Sequence, residues 1–183
     1  MFSPKNSGRW AALVVAALSL SVAVSIPLIS DVPDSKNFVA HCQSENEVPA
    51  RDSNAQAEAI FQLSKDGSEL SYKLVVANID NVVAAHIHVA PAGVNGPIVV
   101  FLFGNASAGG GRTQGVIGDG TVTAANLIGP LTGMPLSALV TALRNGGAYV
   151  NVHTNDGVAP ANTGPGDFPG GEVRAQVEVA GPK

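Results

Sequence analysis

His86-Ile87-His88 and the distant His153 are the residues of this chain best suited to chemistry. Two histidines at i and i+2 of an extended strand project from the same face. Their imidazoles then lie close enough to share one metal ion, and imidazole suits copper, zinc, iron and nickel. The chain has four histidines, and three fall in two apolar, strand-like segments, Val82 to Ala90 and Gly147 to Thr154. The fourth, His41, reads as a solvated or hydrogen-bonded surface residue. Three neutral imidazoles with an open position suit a catalytic zinc or a copper site. Each ring then needs its other nitrogen held by an acceptor. Asn151, Asp156, Asp167 and Glu172 are candidates for that task, and Glu172 is also a candidate fourth ligand. Arg174 shares a strand face with Glu172. It is read first as an ion-pair partner of Glu172 or Glu178, and second as an attractor for a small anion.

The elements that must position these residues are almost all strands. Phe38 to Gln43 is a short first strand. Ala57, Ala59, Phe61 and Leu63 alternate with more polar residues, and Leu70, Tyr72, Leu74 and Val76 do the same after the turn Lys65-Asp66-Gly67-Ser68. That pair is a hairpin. Asn78 to Asn81 reads as a second turn. Val83, Ala85, Ile87 and Val89 then face one way and His86 and His88 the other. Ile98 to Phe103 is apolar on both faces and predicts a strand covered on both sides. Gly104 to Gly120 reads as a flexible glycine-rich loop, with no phosphate-loop pattern. Asn105-Ala106-Ser107 within it fits a glycosylation sequon. Leu136, Leu139, Val140 and Leu143 fall on one helical face, so Pro135 to Asn145 is the one predicted helix. Tyr149, Asn151 and His153 share the face opposite Ala148, Val150 and Val152. A last strand alternates Val173, Ala175, Val177 and Val179 with Glu172, Arg174, Gln176 and Glu178.

Regular strands, turn signals and a single helix predict an all-β sandwich or barrel with Greek-key closure. On every strand that bears them, the three histidines lie opposite the apolar set. The expected site is therefore on the barrel wall, beneath the loops Pro91 to Pro97 and Asn155 to Gly171.

The chain is 45% hydrophobic, only 13% charged, and carries a formal net charge of −4. This is globular composition without the basic patch that nucleic acid requires. Aromatic content is 5%, which leaves few platforms for stacking bases. Lys5 and Arg9 precede an apolar stretch from Ala11 to Ile29, and Ala23-Val24-Ser25 offers small residues. Residues 1–25 are expected to be a secretory signal cleaved after Ser25, with an uncleaved anchor as the rival reading. Residues 26–37 are a linker and 38–180 the domain. Cys42 is the single cysteine, so no internal disulfide forms, and it reads as a small buried residue of the first strand.

Three motifs carry a family resemblance. Glu45-Asn46-Glu47-Val48-Pro49 resembles the opening motif of CHRD domains, named from the chordin repeats. Ala84-Ala85-His86-Ile87-His88 with Pro91-Ala92-Gly93-Val94-Asn95-Gly96-Pro97 is similar to their central motif. Ala148-Tyr149-Val150-Asn151-Val152-His153-Thr154 and Gly170-Gly171-Glu172-Val173-Arg174 resemble the closing one. The resemblance spans about residues 38–180. It implies an immunoglobulin-like Greek-key β-barrel similar to copper/zinc superoxide dismutase, and no particular activity. His86, His88 and His153 are similar in kind and order to that enzyme's copper ligands. No histidine lies between Pro91 and Val152, and Cys42 is alone, so a dinuclear site and its disulfide are excluded.

The leading expectation is an exported CHRD protein at the periplasm, the cell surface or outside the cell. It binds one transition-metal ion, copper before zinc, through His86, His88 and His153, for binding or storage rather than catalysis. The second is a metal-free extracytoplasmic module with a protein partner. The third is a copper-dependent redox enzyme acting on superoxide, with Arg174 as a positive guide.

Overall fold

A computed structural model describes residues 35–104 and 106–181. The predicted signal, most of the linker and Asn105 lie outside the described residues. Nine strands form one antiparallel sheet: β1 Asn37–Gln43, β2 Gln56–Leu63, β3 Leu70–Asp80, β4 Val82–Val89, β5 Ile98–Phe103, β6 Arg112–Val122, β7 Ala148–Thr154, β8 Val173–Gln176 and β9 Glu178–Val179. Their order is β5-β4-β7-β8-β1-β2-β3-β6, with β9 added beside β8 on β1.

The sheet curls into a nearly closed barrel, because its first and last strands approach each other. Tyr72 Oη donates to the Leu102 carbonyl across this seam at 2.9 Å. A Cβ at Gly118 would come within 2.6 Å of that same carbonyl, so a side chain there would force the seam open. Inside lie Phe38, Phe61, Leu70, Leu74, Ile79 and Ile87, all fully buried. The helix α1, Leu136–Arg144, adds Leu136, Leu139, Val140 and Leu143 from its apolar face and packs against β7 and β9. Burying each of these leucines contributes about 2 kcal/mol.

The β2–β3 hairpin and the helix match the expected pattern, and the hairpin turn is closed by Asp66 Oδ1, which accepts from Ser64, Ser68 Oγ and the Ser68 N–H. Four expectations need correction. The glycine-rich segment is no loop throughout: from Arg112 it is the eleven-residue strand β6, paired with β3 through nine residue pairs. Its side chains are mostly exposed and only Val122 is buried, so it carries no apolar alternation to read. The Asn78–Asn81 turn is shorter than expected, since β3 continues through a bulge to Asp80; Asn78 and Asn81 both take left-handed backbone, at φ 55° and 53°, and Asn81 alone lies between the strands. The strand Ile98–Phe103 is an edge of the sheet, and Phe101 is half exposed. A register shift between Val82 and Ala84 buries Val82 in place of Val83.

A candidate three-histidine metal centre

The pairing of β4 with β7 brings the three histidines together. Ala84 faces His153, His86 faces Asn151, and His88 faces Tyr149. His153 is thus the diagonal neighbour of His86 on the face turned away from the apolar core. His86 Nδ1 and His153 Nε2 are 3.0 Å apart. One ring nitrogen from each of His86, His88 and His153 lies within 4.8 Å of the others, so this group could hold a metal ion. Among the described residues no carboxylate or thiolate belongs to it.

The two predicted loops cover the site, and each is tied to it through a histidine. His88 Nδ1 donates to the Gly96 carbonyl at 2.9 Å, and His153 Nδ1 donates to the Pro169 carbonyl at 2.9 Å. Each carbonyl only accepts, so both rings carry their proton on Nδ1 and present a lone pair at Nε2. His153 Nε2 receives the His86 Nδ1–H. That leaves His86 Nε2 and His88 Nε2 buried, with lone pairs and no hydrogen-bond partner among the described residues. His86 and His88 are both buried, and the exposed Phe101 ring packs edge-on against His86 at 4.7 Å.

Burial holds all three rings neutral. It is the main cause that pushes His86 down to about 3, aided by the nearby His153 and His88. His88 is pushed down to about 4, again by burial, against the Gly96 hydrogen bond and with help from His153 and Arg174. His153 lies below its ordinary range through burial, opposed by the Pro169 carbonyl. Neutral imidazole is the form that binds a metal.

The side chains expected to support the rings do other work. Backbone carbonyls take that role, which no residue-type pattern could reveal. Asn151 Nδ2 donates to both oxygens of Glu47, at 2.8 and 3.1 Å. Asp156 and Asp167 brace the long loop, accepting from Val158 N–H and from Thr163. Glu172 is fully buried and lies outside the histidine group. Its carboxylate accepts from Ser53 Oγ and Thr154 Oγ1, both at 2.6 Å, and from Gly166 N–H at 2.9 Å. Arg174 does not pair with Glu172. Its guanidinium lies 3.4 Å from the Tyr149 ring centre and donates to Asn95 Oδ1 and the Val94 carbonyl. Tyr149 in turn stacks on His88 at 4.7 Å.

Glu47, Tyr149 and Asn95 were not foreseen as parts of the site. They stand in the motifs that carry the family resemblance, which is the only signal that marked them. Gly171 is needed where Glu47 and Asn151 meet. Its φ is +124°, and a Cβ there would collide with both side chains.

Glu47 gives a pH test. Burial pushes its carboxyl up to about 7, against the pull of Arg174 and Arg51. The folded state therefore holds this proton where the unfolded chain has lost it, and stability from this group falls as pH rises from about 4.5 to about 7. The histidines act oppositely, because their folded pKa values lie below 6.5. Comparing wild type with Glu47→Gln isolates the carboxyl. The variant should gain about 2–3 kcal/mol relative to wild type between pH 4.5 and 8 in urea unfolding. A difference flat with pH would refute this.

The fold and the site together define a small all-β barrel domain with a polar, loop-covered outer wall. Residues 38–177 match the CHRD domain model, and the chain belongs to the CHRD domain family. It is a family of extracytoplasmic, protein-interacting domains. No curated protein and no solved structure matches the chain significantly. No helix among the described residues is long and apolar enough to cross a membrane.

Proposed function

We propose that this CHRD domain is exported behind a cleaved signal and binds one transition-metal ion, copper before zinc, through His86, His88 and His153. The observation that carries this reading is the pair of buried, unpartnered lone pairs on His86 Nε2 and His88 Nε2 beside His153. A buried polar atom without a partner costs about 1–3 kcal/mol, and a cation would satisfy these. An all-nitrogen set suits copper at least as well as zinc. The role is binding or storage. A superoxide-directed enzyme would want a free positive guide, and Arg174 is buried and engaged with Asn95 and Val94.

Titration with Cu(II), followed by electron paramagnetic resonance, tests the proposal. One equivalent should give a spectrum with nitrogen hyperfine splitting, and His88→Ala should lose it. A wild type without a tight nitrogen-ligated signal overturns the reading. Family membership favours a second reading, a metal-free interaction module. It predicts that the His86→Gln, His153→Gln double variant keeps its partner binding.

A further inference from the structure

We infer that Arg174 sets the charge preference of the histidine site, favouring a monovalent over a divalent ion; this rests on the metal-binding reading above. Arg174, Tyr149 and His88 form one stack. The guanidinium lies 3.4 Å from the tyrosine ring centre, and the tyrosine and imidazole rings are 4.7 Å apart and nearly parallel, at 10°. The charge thus stands within about 8 Å of a ligand ring. It cannot swing away, because Arg174 is only 2% exposed and is fixed by Asn95 Oδ1 at 2.9 Å and the Val94 carbonyl at 2.8 Å.

The ligands themselves contribute no charge. The group holds three imidazoles and, among the described residues, no carboxylate or thiolate. The buried carboxylates nearby take their hydrogen bonds from other partners, Glu47 from Asn151 and Glu172 from Ser53, Thr154 and Gly166, and Glu47, which feels the Arg174 charge, offsets it only in part. A fixed cation repels a bound ion in proportion to the ion's charge. At this distance, partly screened, each unit of charge is worth roughly tenfold in affinity. The site should therefore prefer Cu(I) to Zn(II) by about that factor more than it would without Arg174.

Competition titrations on the full chain test this, with Cu(I) held anaerobically against a chromogenic chelator and Zn(II) against its own. Arg174→Met removes the charge and keeps the length of the side chain. It should tighten Zn(II) about tenfold relative to Cu(I), and lower the Cu(II)/Cu(I) midpoint potential by about 59 mV, the one-electron equivalent of tenfold. Arg174→Lys, which keeps the charge, should keep the wild-type ratio. Simple loosening of the site would weaken both ions together. A Zn(II)/Cu(I) ratio unchanged in Arg174→Met, or shifted in Arg174→Lys, overturns the inference. If Arg174→Met does not fold, Arg174→Gln carries the same test, since its amide can still donate to the Val94 carbonyl. A wild type that binds neither ion removes the site itself and this inference with it.

Discussion

Glu172→Ala is expected to destabilise the domain by about 4 kcal/mol and to loosen the histidine site as well. The residue is fully buried, and its carboxylate accepts from Ser53, Thr154 and Gly166. Truncation leaves a cavity and strands the buried donors of Thr154 and Gly166. Each buried unsatisfied donor costs about 1–3 kcal/mol, and total stability for a domain is only about 5–15 kcal/mol. The damage also travels. Thr154 Oγ1 accepts from the Phe168 N–H, and Phe168 precedes Pro169, whose carbonyl holds His153. Losing such an outer support typically weakens metal affinity by about 10–100-fold. Glu172→Gln keeps one acceptor oxygen and should lose less than half as much stability. Urea unfolding with zinc or copper titration on both variants decides the matter. An alanine variant within about 1 kcal/mol of wild type would show that the carboxylate is not holding the loop.

The second large effect concerns metal and stability together. An ion that binds only the folded chain stabilises it by about 2.7 kcal/mol at one hundred times its dissociation constant. For a domain of this size that corresponds to a rise in Tm of roughly 5–10 °C. Thermal unfolding should show this gain on loading with copper and its full reversal by a chelator. His86→Ala should abolish the gain. If copper leaves the wild-type Tm unchanged, the site does not take the ion in the folded protein.

Much of the barrel was legible because alternation is a local property. Ala57, Ala59, Phe61 and Leu63 declare β2, and Leu136, Leu139, Val140 and Leu143 declare the helix. β6 was illegible because a strand exposed on most of its length has no apolar face to announce it. Its glycines serve the seam, where Gly118 lies against Leu102, and glycine reads locally as loop. Phe101 misled for a related reason. A large apolar residue in an apolar run implies cover on both sides, yet it stands half exposed on the edge strand beside His86.

For the site, the residue types were legible and the partners were not. Alternation placed His86, His88 and His153 on the face away from the core. It could not give the register of β4 against β7, which decides that His153 is diagonal to His86. The supports come from the carbonyls of Gly96 and Pro169, and every residue has a carbonyl. Arg174 looked like half of an ion pair because Glu172 is two residues away on the same face. Its real partners, Asn95 and Tyr149, are brought to it only by the folded loop and the neighbouring strand.

The tie between β4 and β7 has a consequence for timing. His86 and His88 emerge together, but His153 follows after 64 intervening residues, in a strand separated from β4 along the chain by β5, β6 and the helix. The last support, the Pro169 carbonyl, comes later still. A chain that is still extended offers an ion two flexible imidazoles and nothing to orient them. On the proposed reading, uptake by all three would therefore follow folding, and a loaded site would certify a finished barrel.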